Sequence, residues 1–303
     1  MYINTVLGRI EPEQLGLTYI HEHLKLDLSS HKNDPDTRYD DLPGVIAELE
    51  ELQRRGLDAV VEATNWGMGR DIPALVQVAE ATGIHVIAST GVYKEPFLPD
   101  WVRDCSEGEL ASSMVMDIVQ GIDDTGVRAH VIGEVGSSAE VITALEKKAL
   151  RAAAWACRQT GHPIYTHTTL GKLGLEQVRL FEGMGVDLSQ VVIGHTDLSS
   201  DEEYHLRLAD TGCYLGFDTV GKLNYQQDEI RAQRIVELVQ RGHLQQVVLS
   251  QDLTRKTQLW NRGGIGYAYL LDSFVPRLLD LGLRQQDIDT LLIENPARLL
   301  AVE

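Results

Sequence analysis

The sequence predicts an α/β protein, a (β/α)8 TIM barrel with a binuclear metal site at the C-terminal ends of its strands. Three observations predict it. Short β-branched runs alternate with longer amphipathic stretches along all 303 residues. Eight such pairs can be drawn, and eight parallel strands joined by right-handed crossovers close a barrel. Five of the apolar runs stop on metal-capable side chains: Leu17-Thr18-Tyr19-Ile20-His21-Glu22-His23, Val131-Ile132-Gly133-Glu134, Ile164-Tyr165-Thr166-His167, Val192-Ile193-Gly194-His195 and Val247-Val248-Leu249-Ser250-Gln251-Asp252. Parallel strands end at one mouth, so topology alone gathers these groups.

The elements follow in order. Strands are expected near 15–21, 57–64, 84–90, 128–134, 162–167, 190–195, 213–218 and 246–251. Helices are expected near 43–55, 71–82, 107–121, 143–160, 173–184, 200–211, 227–241 and 266–281. Gly56, Gly83, Gly161, Gly185, Gly212 and Gly242 each precede the next apolar run. Glycine there accepts the left-handed conformation that stops a helix. A last helix is expected from Asn295-Pro296, with Asn as cap and Pro at the first helical position. A doubly wound sheet would want a glycine-rich phosphate turn after strand 1, and that position holds His21-Glu22-His23. One domain is expected over 1–303, since α/β barrels reach this length as a unit.

Composition narrows the function classes. Hydrophobic residues make up 43% and charged residues 24%, an ordinary globular balance. Formal net charge is −18, a field that repels nucleic acid and anionic lipid. No apolar stretch approaches the ~20 residues of a membrane span, and the N-terminus lacks a signal-peptide layout. Cys105, Cys157 and Cys213 are odd in number and far apart, which argues against a disulfide framework. A cytoplasmic protein acting on a small molecule is expected, with no nucleic-acid or membrane partner.

His21 and His23 are two apart, so a strand would place both imidazoles on one face with Glu22 on the other. Alone, such a pair is a weak signal and also fits two histidines hydrogen-bonded in a loop. His167 and His195 end adjacent strands, where a single buried histidine would read as a satisfied core residue. Glu134 and Asp252 would be costly in an apolar barrel unless paired or metal-bound. Either could instead sit in solvent at a loop start. Together, four histidines, a bridging Glu134 and a terminal Asp252 complete a two-metal site, with the ions ~3.5–4 Å apart around a bridging hydroxide. Imidazole and carboxylate suit zinc first, with manganese, cobalt and iron(II) as alternatives. His31, His85, His130, His162, His205 and His243 are assigned no role.

With these residues in hand, the chain resembles the phosphotriesterase family of the amidohydrolase superfamily, nearest its phosphotriesterase homology branch. The resemblance runs from His21-Glu22-His23 to Glu294-Asn295-Pro296-Ala297-Arg298. It is marked by Gly133-Glu134-Val135-Gly136-Ser137-Ser138, Thr166-His167-Thr168, Gly194-His195-Thr196-Asp197, Phe217-Asp218-Thr219-Val220-Gly221-Lys222 and Gly263-Gly264-Ile265-Gly266-Tyr267. It implies that His21, His23 and Asp252 hold the more buried metal, and His167 and His195 the more exposed one. Glu134 stands where many members carry a bridging carboxylated lysine. It also implies a homodimer, for which no residue here argues. Phosphotriesterases proper have a histidine just after the strand-7 aspartate and an aspartate three residues after the strand-6 histidine. Thr219 and Leu198 occupy those places here, which argues against phosphotriester activity.

The expected chemistry is hydrolysis of an ester or lactone, with the bridging hydroxide as nucleophile and Asp252 passing its proton to the leaving group. Tyr93 matches a tyrosine that lines the pocket of lactonases in this family. Lys222, Arg255, Lys256 and Arg262, in the loops after strands 7 and 8, are candidate phosphate binders. A phosphorylated sugar lactone is therefore the first substrate candidate. Trp66, Trp101 and Trp260 are expected at a pocket wall, and Trp155 in core packing. A phosphotriesterase or carboxylesterase on the same metals is the near rival. A mononuclear deaminase is disfavoured by Glu134, and a barrel that binds metal without turnover is the rival of another class.

Overall fold

The computed structural model describes residues 1–303. Eight strands form one sheet in chain order: β1 Leu17–Glu22, β2 Leu57–Glu62, β3 His85–Thr90, β4 Val131–Ser137, β5 Ile164–Thr168, β6 Val191–Ile193, β7 Tyr214–Phe217 and β8 Val247–Leu249. Every neighbouring pair is parallel. Between them run α1 Leu42–Arg54, α2 Ile72–Thr82, α3 Glu107–Val119, α4 Ala144–Thr160, α5 Gly174–Gly183, α6 Glu202–Ala209 and α7 Asp228–Gln240. After β8 comes α8 Val275–Asp280. This is the (β/α)8 barrel that the alternation predicts. None of its helices is long and apolar enough to cross a membrane.

Local chemistry accounts for the helix ends. Asp41, Asp71, Ser106, Thr143 and Asp201 each accept a hydrogen bond from the amide three residues on, caps worth about 1 kcal/mol apiece. The glycines expected to stop helices do so; Gly83 (φ 73°) and Gly161 (φ 74°) are examples.

Side chains alternate across the strands, so each strand feeds two cores. Ile20, Val61, Ile87, Val131, Tyr165, Val192, Tyr214 and Val248 fill the barrel interior. Ile3, Leu15, Leu299 and Leu300 close it at the N-terminal end. The opposite faces, with Val60, Val86, Ile132 and Leu249 among them, pack under the helices. No ladder joins β8 to β1. Instead the Glu22 carboxylate accepts from Ser250 Oγ (2.8 Å) and from the amides of Gln251 (2.7 Å) and Leu253 (3.2 Å). That bond set closes the seam and fixes the loop carrying Asp252.

Three expectations need correction. The last helix does not start at Asn295. It opens at α9 Gln285–Asp289, continues through a π-helical turn Thr290–Glu294, and ends as α10 Asn295–Leu300. Asn295 is itself helical (φ −64°, ψ −48°). Its amide donates to the carbonyls of Leu244 (2.8 Å) and Val247 (2.7 Å), tertiary partners that replace the capping role. Trp155 is not core but 50% exposed, because Leu150, Ala153, Ala154 and Cys157 take the buried face of α4. Strands 6 and 8 end two residues earlier than expected, at Ile193 and Leu249. His195 (φ 56°) and Asp252 (φ 52°) lie beyond them in left-handed turns.

Candidate metal centre

All six side chains singled out as ligands meet at the C-terminal mouth. β1 carries His21 in its last turn of pleat and delivers His23 one residue beyond its end. β4 is bulged between Ile132 and Val135 against β5, and the bulge re-aims Glu134 into the barrel. A Cβ on Gly133 would stand 2.3 Å from the Tyr165 carbonyl, and one on Gly194 would stand 2.1 Å from that of Thr166. Only glycine lets the backbone before Glu134 and before His195 approach β5 so closely.

The ligand atoms sort into two groups. His23 Nε2 lies 3.2 Å from Asp252 Oδ1 and 3.5 Å from Glu134 Oε1. His21 Nε2 lies 3.8 Å from Asp252 Oδ1 and 3.7 Å from Glu134 Oε2. On the outer side, Glu134 Oε2 is 3.0 Å from His167 Nδ1 and 3.4 Å from His195 Nε2, and the two imidazole nitrogens are 2.8 Å apart. Ligands ~2.1 Å from one tetrahedral ion stand about 3.4 Å from each other, so both groups have the spacing of coordination shells. Glu134 belongs to both.

The hydrogen bonding fits a cation equally well. His21 Nε2 and His23 Nε2 are buried with no hydrogen-bond partner, a costly state unless something else takes their lone pairs. Their supports are in place. His23 Nδ1 lies 2.7 Å from Thr64 Oγ1, and His195 Nδ1 lies 2.8 Å from Asp218 Oδ1. A partner on one ring nitrogen turns the other towards a metal. Asp218 also accepts from the His195 amide (2.9 Å) and from the Tyr165 hydroxyl (2.6 Å), and stands 3.4 Å from His21 Nδ1. The donor set fits two divalent ions.

Protonation tendencies show the same demand for positive charge. Burial pulls the His23 imidazole down, but the facing carboxylates of Asp252 and Glu134 push it up to about 10. Burial would raise the Asp252 carboxyl, yet the Lys222 charge and the surrounding imidazoles hold it well below the usual carboxylate range. His167 goes the other way, down to about 4, through burial and then the charge of His195.

Five of the six candidate ligands, all but His21, floor a cavity of about 200 Å³. Tyr93 lines it, its hydroxyl 3.2 Å from His167 Nδ1 and its ring edge-on to that imidazole at 4.8 Å. Lys222 lines it as well, and its ammonium donates to Asp252 Oδ2. Arg255 and Lys256 do not. Arg255 pairs with Asp34, and Lys256 pairs with Asp40 at 2.7 Å. Arg262 likewise pairs with Asp41 at 2.8 Å. The loop after β1 thus neutralises the loop after β8, where the sequence suggested a phosphate site. The tryptophans also fall elsewhere. Trp66 and Trp101 meet edge to face with ring centres 5.5 Å apart, and Arg70 lies over Trp66. Trp260, 73% exposed, borders a separate surface hollow. Tyr93, Phe97 and Tyr225 supply the aromatic wall instead.

Asp218, Thr64, Lys32 and Lys94 were assigned no role from the sequence. Asp218 had a readable signal, for it ends a sixth apolar run, Cys213-Tyr214-Leu215-Gly216-Phe217. The two lysines, both lining the cavity, had none.

The phosphotriesterase family model matches residues 1–300. The chain belongs to the phosphotriesterase family. It is 45% identical over 283 residues to the phosphotriesterase homology protein of Escherichia coli K12, covering 93% of this chain and 97% of that one. The crystal structure of that protein, complexed with phosphate in its active site, matches with a TM-score of 0.93 at 44% identity, over 95% of this chain and 99% of the other. An N-acetyltaurine hydrolase of Danio rerio is 33% identical over 98% of this chain and 97% of its own. A lactonase from Listeria monocytogenes matches with a TM-score of 0.96 at 28% identity, over the whole of both chains. The protein is accordingly a metal-dependent hydrolase.

Proposed function

We propose that the enzyme hydrolyses a lactone or ester, with two divalent cations, zinc first. His21, His23, Glu134 and Asp252 would hold the inner ion; Glu134, His167 and His195 would hold the outer one. The observation that carries the reading is the pair of ligand shells sharing Glu134, with the Nε2 atoms of His21 and His23 left without any other partner. When bound, such ions acidify water and polarise a substrate carbonyl or phosphoryl oxygen.

The chain's own residues do the rest. Asp252 presents Oδ1 to the ligand cluster while Oδ2 accepts from Lys222, so an ionised base stands beside a proton donor. Asp252 takes the proton of the attacking water, and the Lys222 ammonium offers one towards the leaving group. This pair stands in for the relay that Thr219 and Leu198 cannot supply. Thr219 is instead spent on a 2.5 Å hydrogen bond to Asp197, which Arg231 also holds. The Tyr93 hydroxyl positions the substrate carbonyl above His167.

A second reading, amide hydrolysis, is favoured by the similarity to N-acetyltaurine hydrolases. Metal analysis followed by lactones, aryl esters, N-acyl amides and phosphotriesters tests both. Lactone or ester turnover that depends on metal and collapses in Asp252→Asn is the expected result. A preference for phosphotriesters, or turnover that survives chelation, would overturn it.

A further inference from the structure

We propose that Lys32 and Lys94 form a subsite for an oxyanion carried by the substrate: a carboxylate, sulfonate or phosphate joined to the scissile group by a short linker. This rests on the hydrolase reading above and names the substrate class within it. Every other cation in the loops around the mouth has an acidic partner: Lys25 with Asp71, Arg255 with Asp34, Lys256 with Asp40, Arg262 with Asp41 and Lys222 with Asp252. Lys32 and Lys94 have no carboxylate oxygen within 4.0 Å. Both line the metal cavity.

The two ammonium groups share one aromatic platform. Lys32 Nζ lies 5.9 Å from the centre of the Phe97 ring, Lys94 Nζ lies 5.7 Å from it, and Lys94 is 5.6 Å from the Tyr93 ring. Tyr93 in turn touches the ligand His167. The platform therefore connects the free charges to the reaction centre. Polar compensation is thin: Lys94 reaches only the Glu95 carbonyl at 3.3 Å. Lys94 is half-buried, and burial pulls its ammonium below the ordinary range, as expected for a cation that has lost water without gaining a counter-ion; Lys32 stands exposed at the rim of the same cavity. An oxyanion in the cavity would give these ammoniums a partner through charge-assisted hydrogen bonds. The net charge of −18 opposes anion entry, so a local pair of free cations is what an anionic substrate would require. Leu28, Met68 and Leu170 in the same lining leave the linker apolar.

The test uses the zinc-loaded enzyme with two esters that differ in one charge, 4-nitrophenyl butyrate and mono-4-nitrophenyl glutarate. The readout is the ratio of their kcat/KM values, which cancels any loss of folded enzyme. The ratio should favour the glutarate in the parent. It should fall about tenfold in Lys32→Met or Lys94→Met and further in the double variant, and a Lys32→Arg/Lys94→Arg pair should retain it. A ratio unchanged by the double methionine variant would overturn the subsite. If neither ester is turned over, the ester reading fails separately, and glutarate binding by calorimetry decides. Weaker binding to the methionine pair than to the arginine pair supports the subsite, and equal binding sinks it.

Discussion

At the closed end of the barrel, His130 is fully buried between the two chain termini. The Asn4 amide donates to its Nδ1 at 3.2 Å, and its Nε2 donates to the Leu300 carbonyl at 2.6 Å. At the open end, His21 and His23 are buried just as completely, yet their Nε2 atoms have no hydrogen-bond partner and face carboxylates. The protonation tendencies diverge accordingly. Burial, then the neighbouring His162, drives His130 down to about 3, whereas Asp252 and Glu134 overcome burial to push His23 up to about 10. Burial alone therefore does not identify a functional histidine. An imidazole whose two nitrogens are satisfied by amide and carbonyl is structural; one aimed at paired carboxylates sits in a site that favours positive charge.

The largest break in this contrast comes from Glu134→Ala. Metal content should drop, and turnover of the best substrate should fall by about a thousandfold or more, measured by mass spectrometry of bound metal beside steady-state kinetics. His130→Ala should do the reverse. Metal stays bound, but unfolding in urea should show a loss of about 2–4 kcal/mol, because the Asn4 amide and Leu300 carbonyl lose a partner and a cavity opens.

Chelation sharpens the open-end half of the comparison. Without metal at pH 8, His23 sits below its raised value and takes up a proton, so metal removal should consume about one proton per site. Calorimetry in two buffers of different ionisation heat measures it, and no uptake would contradict the carboxylate-facing geometry. The closed end should show its own pH response. The folded His130 value lies below its ordinary 6.5, so the unfolded chain binds the proton first. Stability should be complete above about pH 6.5 and decline as the pH falls towards 3, by at most about 1.4 kcal/mol per pH unit from this group. His130→Gln should flatten that slope in pH-dependent denaturation. The smallest effect is expected from Arg255→Ala. Its pairing with Asp34 is a half-exposed surface bridge, worth under about 1 kcal/mol, and KM for an anionic ester should hardly move.

How legible each part was depends on the range of the interaction that sets it. His21, Glu134 and His167 could be placed because each lies on a strand whose apolar run announces it. His195 and Asp252 were found by the same cue, although both sit in left-handed turns past the strand ends, a geometry that no pattern of apolar residues encodes. Arg255 and Lys256 misled because a basic cluster looks free until its partners are seen. Asp34 is 221 residues from Arg255. Lys32 and Lys94, isolated in the primary structure, are the cations around the mouth that the fold leaves without an acidic partner.

By itself, the order of residues determined the eightfold alternation, the helix stops and the convergence of six candidate ligands on one mouth. These follow from side-chain period, capping and strand direction, all of which act within a few residues or through topology. Tertiary structure alone decided which charges cancel across the loops, which carboxylate steadies His195, and which two ammoniums remain open to a substrate. Those outcomes depend on distances of a few ångströms between segments that no local rule relates.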